Sequence, residues 1–296
     1  MTTVNWDNEL LGGQVVERGE SLGRRLVRSP RMIVGLTVTG FVVLLAFAGP
    51  LVAPHNPNAL LGRPYQPPGQ FALGTDYLGR DVLSRVLNGG RTVVWMATAA
   101  ATLGMVSGVG VGLMAGYLRS RLDTWLMRAM EVLQAFPIII LVLLVISMVG
   151  TRPWLVVVVV AIGWTPQVAR VTRGITLEVV ERDFVRIQEV LGAPTRRILV
   201  REILPNLASP LLVEFALRVT WSVAVVAALS FIGFGIQPPT ADWGLMINEN
   251  RSAIAIQPWA ILAPILCIGL LTVGVTLIAE ALALELAGTK RRTVER

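Results

Sequence analysis

Glu214 and Arg218 stand one helical turn apart inside a long apolar run, so on a helix their side chains meet on one face. At bilayer depth each charge alone costs about 2.5–3.5 kcal/mol, and together they neutralise one another. Two uses fit: an ion pair facing a helix bundle, or the polar lining of a water-filled path, to which Ser222 on the same run is assigned. A denser set of charges lies at 170–206. There Leu177, Val180, Phe184, Ile187 and Leu191 recur every three or four residues, which predicts one apolar helix stripe with arginines and acids on the other face. Gly192 ends that helix, Ala193-Pro194 opens a second short one, and Leu204-Pro205-Asn206 is expected to stop it. Helix, glycine corner and helix read as a docking surface.

Other chemistries lack their residues. A phosphate-binding P-loop needs Gly-Lys followed by Ser or Thr, whereas the sole lysine, Lys290, lies between Thr289 and Arg291. A zinc peptidase needs two histidines at helical spacing, and His55, between Pro54 and Asn56, is alone and reads as a solvated loop residue. Cys267 has no possible intrachain partner and reads as a small buried hydrophobe. The expectation is a non-catalytic chain with no metal and no cofactor of its own.

The elements that position these residues follow from composition. Apolar residues make up 54% of the chain and charged residues 15%, and the mean hydropathy is +0.65, which is the signature of a polytopic membrane protein. Six runs are long enough to cross roughly 30 Å of hydrocarbon, at 32–52, 92–117, 132–149, 154–171, 210–232 and 259–282. With both termini on one side, 19 basic residues fall on that side and 6 on the other, so the positive-inside rule makes the termini and the 172–206 insert cytoplasmic. That bias also accounts for the net charge of +7 without a nucleic-acid partner; membrane lipid is the expected surround. The layout is then a tail at 1–31, a span with its outer loop and an interfacial helix at 32–91, a five-span core at 92–282 with an outer loop at 235–257, and a basic tail at 283–296. The long polar lead before the first apolar run reads as part of a signal anchor rather than a cleaved leader.

Gly104, Gly108, Gly112 and Gly116 recur every fourth position and make a groove where another helix can come close. Pro166 predicts a kink in the fourth span. Glu280 and Glu285 are expected at the interface. In the first outer loop, Thr75 or Asp76 is expected to cap a helix and Asp81 to pair with Arg85. In the second, polar residues and Trp243 are expected to face an external partner or the mouth of a path.

Three segments in order resemble one family, the permease subunits of bacterial dipeptide and oligopeptide ABC importers, and within it the C-type member of the pair. They are Gly74-Thr75-Asp76-Tyr77-Leu78-Gly79-Arg80-Asp81-Val82-Leu83-Ser84-Arg85; Gly192-Ala193 with Ile203-Leu204-Pro205-Asn206; and Leu229-Ser230-Phe231-Ile232-Gly233-Phe234-Gly235 running on to Asp242-Trp243-Gly244. The resemblance covers roughly residues 28–282. It implies an all-α type I importer fold with six spans and a cytoplasmic coupling helix. It also implies a homologous second permease (B-type), two ATPase subunits or one fused ATPase carrying ATP and Mg, and an extracytoplasmic substrate-binding protein. The ATPase-coupling set it implies is Asp183, Phe184, Arg186, Ile187, Glu189, Leu191, Gly192, Ala193, Arg196 and Arg197. The family opens the coupling helix with Glu-Ala-Ala, where this chain has Arg186-Ile187-Gln188, so Asp183 or Glu189 substitutes for the glutamate or the ATPase surface differs. Val226 stands where relatives often carry a glutamate, and Glu202 where an apolar residue or histidine is usual.

The implied activity is ATP-driven import of dipeptides or oligopeptides, relatives of this architecture also moving nickel chelates, glutathione or haem. An ion-coupled secondary transporter built on Glu214 and Arg218 is the first alternative, although no repeat relates the two halves. A membrane scaffold or an export-directed ABC subunit is the second.

Overall fold

The computed structural model describes residues 29–294, with side chains given as far as residue 286; the expected N-terminal tail lies almost wholly outside it, and the basic cluster at 290–292 is described as backbone only. Ten helices carry the described chain, without a strand among them. α1 (Pro30–Val52) is followed by an irregular loop, and α2 (Val82–Leu118) by a bent pair, α3 (Arg121–Gln134) and α4 (Ile138–Val149). α5 (Pro153–Val180) leads to α6 (Asp183–Val190). A short α7 (Thr195–Arg197) passes through a π-helical turn, Ile198–Ile203, into α8 (Leu204–Ile232). α9 (Trp243–Asn250) and α10 (Trp259–Val294) complete the chain. Five helices are long and apolar enough to cross a membrane, and the bent pair makes a sixth crossing if it is one span.

The glycine stripe finds its partner in α5. A Cβ added at Gly104 would lie 3.0 Å from the Ala161 carbonyl oxygen, at Gly108 2.5 Å from Val168, at Gly112 2.5 Å from the Ala169 carbonyl oxygen and at Gly116 2.7 Å from Thr176. The register advances in the same sense on both helices, so α2 and α5 are parallel neighbours, and Ser107 and Thr165 hydroxyls bridge them at 2.7 Å. Parallel neighbours require the chain to return between them. The bent pair does this.

Several expectations are corrected here. The third run is not one helix over 132–149: it breaks at 135–137 with a bend of 79°, because Pro137 has no N–H to give and its ring disfavours a helical residue before it. α4 alone is about 18 Å long, short of a full span. α5 runs on through Pro166 to Val180 as one helix, which moves 172–180 out of the insert. The apolar stripe expected from Leu177 to Leu191 is split. The chain restarts at Arg182, so the phase resets, Val185 becomes the buried residue of α6, and Ile187, Val190 and Leu191 point outward. Leu204-Pro205-Asn206 does not stop the helix either. The wide π turn, with the Leu204 N–H bonded to the Leu199 carbonyl, gives Pro205 room, and helix continues from Thr195 to Ile232.

At the opposite end from α6, the helix expected to run into the second span begins at Val82 as the first turns of α2, but Asp81, not Thr75 or Asp76, caps it by accepting from the Ser84 N–H at 3.2 Å. His55 is not merely solvated, since its Nδ1 lies 3.2 Å from Asp81 Oδ2 and its ring meets Phe71 edge-on at 5.6 Å.

Candidate functional site

Three polar assemblies are set along this bundle. At the α6 end, Val185, Ile198, Ile203 and Leu207 are buried against Leu113 and Val179, with Phe184 and Ala193 partly covered beside them. This apolar seat fixes the insert to the ends of α2, α5 and α8. Arg173 holds Asp123 of α3 through two bonds of 2.6 Å, and Glu181 accepts from Arg119 at 2.5 Å and from Arg186 at 2.6 Å. Those two hydrogen bonds, Arg119 first, hold the exposed Glu181 carboxyl below the usual carboxylate range. A lowered folded-state pKa means that the tether is intact above the ordinary value of about 4.3 and is lost as pH falls through the lower one. Spin labels placed on α5 and α6 should therefore give a sharp distance at neutral pH that persists through the ordinary carboxylate range and broadens only at more acid pH. An unchanged distance would show that Glu181 does not hold the insert.

Beyond the seat the insert projects. Asp183 is exposed in the first turn of α6, where a negative side chain suits the helix dipole, and Glu189 faces the Tyr117 hydroxyl. Gly192 closes α6 at φ +73°, its N–H bonded to the Glu189 carbonyl and the Ala193 N–H to the Gln188 carbonyl, each at 3.0 Å. No atom lies within 4 Å of where its Cβ would be, so the left-handed backbone and not crowding calls for glycine. Around that corner Ile187 is 56% exposed, Val190 87% and Leu191 73%. Arg196 and Arg197 are exposed on the following turn.

Midway along the bundle, Glu214 Oε1 and Arg218 Nε are 2.9 Å apart, and Arg218 also donates to Gln167 of α5 while its guanidinium lies 5.1 Å over the Trp164 ring. Trp164 Nε1 donates to Ser222 Oγ at 2.9 Å. Glu214 and Arg218 are nearly covered, at 8% and 9% exposure, and the cluster joins α5 to α8. Ser222 has no exposed surface. It braces Trp164 from behind, which corrects its placement on a path lining.

The third assembly was not visible as a unit in the sequence. Asp76 Oδ2 takes Arg80 Nε at 2.6 Å and lies 3.4 Å from Arg85 Nε, and Glu249 Oε2 accepts from Arg80 at 2.9 Å and from Arg85 at 3.0 Å. Tyr77 adds its hydroxyl to Glu249 and its N–H to Asn250, each at 3.1 Å. Two arginines and two carboxylates, each under 10% exposed, thus form a neutral buried square between the first outer loop and α9. Arg85 pairs with Asp76 and Glu249 rather than with Asp81, whose Oδ2 serves Ser84 and His55. Trp243 is a further correction. It is fully buried, its indole donates to the Val86 carbonyl at 2.9 Å, and it sits where Gly89 and Gly90 leave room, so it anchors α9 and lines no mouth. Asp242 caps α9 through the Leu245 N–H and accepts from Thr92 at 2.9 Å.

Against proteins already known, residues 108–287 match the family model for the binding-protein-dependent transport system inner membrane component. The chain belongs to that family. Residues 21–68 match the N-terminal transmembrane domain of oligopeptide transport permease C. A putative peptide transport system permease protein of Brucella suis biovar 1 is 35% identical over 273 residues, 92% of this chain and 89% of its own. The di/tripeptide transport system permease protein DppC of Pseudomonas aeruginosa is 32% identical over 262 residues, 86% and 84% of the two chains. The glutathione transport system permease protein GsiD of Pectobacterium atrosepticum is 39% identical over 210 residues, 71% and 70%. Among solved structures, a chain of the MetNI methionine ABC transporter in inward-facing conformations superposes with a TM-score of 0.54 over 67% of this chain and 96% of its own, at 16% identity, which supports the fold.

In this permease the residues singled out from sequence fall into separate places. Asp183, Phe184, Arg186, Ile187, Glu189, Leu191, Gly192, Ala193, Arg196 and Arg197 gather at one end, Glu214, Arg218 and Ser222 in the middle, and Trp243 at the far end. Asp76, Arg80, Arg85 and Glu249 were missed as a group. The Asp76–Arg80 spacing of four was a usable signal, whereas Glu249 lies 164 residues from Arg85 and had none. Arg186, where the resemblance led to the expectation of a glutamate, is bonded to Glu181 of its own chain.

Proposed function

We propose that this permease is the membrane half-pathway of an ATP-driven importer of short peptides. Its partners are a homologous second permease, two ATPase subunits or one fused ATPase, and an extracytoplasmic binding protein. ATP and Mg belong to the ATPase, and this chain carries no catalytic group. The α6 end is cytoplasmic, in keeping with the basic residues concentrated there. One observation carries the coupling assignment: beyond the last turn of the spans, Ile187, Val190 and Leu191 are left uncovered at a glycine corner that is firmly seated on α2, α5 and α8. Uncovered apolar residues on a short rigid helix are what a groove on a partner takes up. With Arg186 engaged by Glu181, the seat is apolar at its tip and owes nothing to a glutamate at that position. ATP-driven closure of the partner then moves α6, and the seat passes that motion to three spans at once.

Glu214 and Arg218 are the polar element of the path, nearly covered here and joined to Gln167 and Trp164 across two helices. A neutral pair suits cargo with one charge at each end. The di/tripeptide and glutathione relatives support short peptides as the class, glutathione being itself a tripeptide.

Gly192→Pro tests the coupling. It removes the N–H bonded to Glu189 and forces φ to about −65° from +73°. Membrane insertion and assembly with the second permease should persist, while ATP-dependent uptake in proteoliposomes falls at least tenfold. Gly192→Ala, strained by about 1–2 kcal/mol, should fall between. Full uptake by the proline variant would remove the assignment.

A further inference from the structure

The arginines near the α6 end differ in what they hold, and Arg121, Arg128, Arg170 and Arg182 are scattered there without a carboxylate partner among the described residues. Arg119, Arg173 and Arg186 each hold a carboxylate. Arg196, Arg197 and Arg201 hold none among the described residues, are all exposed, and share one concavity of about 490 Å³. Its remaining walls are Pro194 and Val200, so three positive charges face a hollow that contains no acid. Arg201 lies three residues before Leu204, where α8 begins, and the helix from Thr195 to Ile232 runs unbroken into a segment apolar enough to cross the bilayer. On the cytoplasmic orientation proposed above, on which this inference rests, the hollow lies beside the stretch where that helix approaches the bilayer. Guanidinium groups bind phosphate oxygens through paired N–H donors, and apolar walls suit the glycerol and first methylenes of a lipid.

We infer that Arg196, Arg197 and Arg201 form a binding site for the phosphate of an anionic phospholipid headgroup, placed where it steadies the π-helical turn between the insert and α8. The inference narrows the coupling surface to α6 and its glycine corner and reassigns Arg196 and Arg197 from the ATPase to the membrane. A headgroup at that turn stiffens the joint through which motion of α6 reaches α8.

The test uses the full transporter complex in nanodiscs of phosphatidylcholine with increasing phosphatidylglycerol, with lipids retained by the complex counted by native mass spectrometry. The wild type should retain phosphatidylglycerol in preference to phosphatidylcholine. The variant R196Q/R197Q/R201Q should lose that preference, each arginine weakening binding about fivefold, the equivalent of about 1 kcal/mol near a charged surface. A charge-matched variant at the other end, R63Q/R152Q/R251Q, should keep it. Equal retention by the wild type and the triple variant overturns the site. So does a triple variant that keeps its lipid but loses its ATPase, because the arginines would then be contacts to protein. If the triple variant does not assemble, the single variants R197Q and R201Q decide: unchanged retention in both overturns the site.

Discussion

Glu249→Ala is expected to destabilise the permease by about 3–5 kcal/mol, the cost typical of removing one partner from a buried ion pair. The substitution leaves Arg80 and Arg85, 3% and 0% exposed, with Asp76 as their only remaining carboxylate. One uncompensated positive charge is then buried between the first outer loop and α9. Tyr77 loses its hydroxyl partner as well. The variant should unfold at a lower temperature in detergent, and protease should reach the 53–81 loop sooner. Glu249→Gln retains shape and acceptor oxygen but not charge, and should lose roughly half as much. If the square acts as a unit, Arg80→Ala combined with Glu249→Ala will cost less than the two single changes added together, since the pair removes one charge of each sign. Additive losses would mean that the four residues are neighbours without coupling.

Gly112→Leu should be nearly as damaging, through a different cause. The new Cβ would fall 2.5 Å from the Ala169 carbonyl oxygen, 2.6 Å from Thr172 Cβ and 3.0 Å from the Arg173 nitrogen. Two of those three atoms are backbone within α5 and cannot swing aside, so the helices must separate. Overpacking costs about 1–3 kcal/mol where side chains can yield, and this site belongs at or beyond the upper end. Parting α2 from α5 also loosens the Ser107–Thr165 bridge and the close fits at Gly108 and Gly116. Gly110→Leu is the matched control, because nothing lies within 4 Å of its Cβ position. Size-exclusion profiles after heating should show Gly112→Leu aggregated at temperatures where Gly110→Leu and wild type remain monodisperse. Equal behaviour of the two variants would refute close α2–α5 packing.

What could be read in advance followed from local rules. Apolar length marked the spans, spacing of four marked both the glycine groove and Glu214–Arg218, and the basic bias marked one end. Failures came where a single residue resets geometry. Pro137 splits a run that hydropathy treats as continuous, and the restart at Arg182 shifts the phase of α6, so that Val185 replaces Ile187 and Leu191 as the buried residue. Leu204-Pro205-Asn206 has the composition of a stop, yet the π turn before it absorbs the proline. Long-range pairing was beyond reach altogether. Nothing in Trp243 announces that Gly89 and Gly90 make its seat, and nothing in Arg80 or Arg85 announces Glu249. A loop rich in polar residues was therefore read as facing outward, when Trp243, Asp242 and Asn250 are fully enclosed.

The central claim is that energy enters this permease at the uncovered corner of α6. It is tested most directly by a cysteine at position 190, in a chain whose native Cys267 is replaced by Ala, within the complex that contains its ATPase subunits. A short cross-linker should join Val190→Cys to an ATPase subunit with a yield that changes when ATP is added. Leu51→Cys, equally exposed at 87% but at the other end, should give no such product. An ATPase adduct absent at 190, or formed equally at 51, would contradict the account.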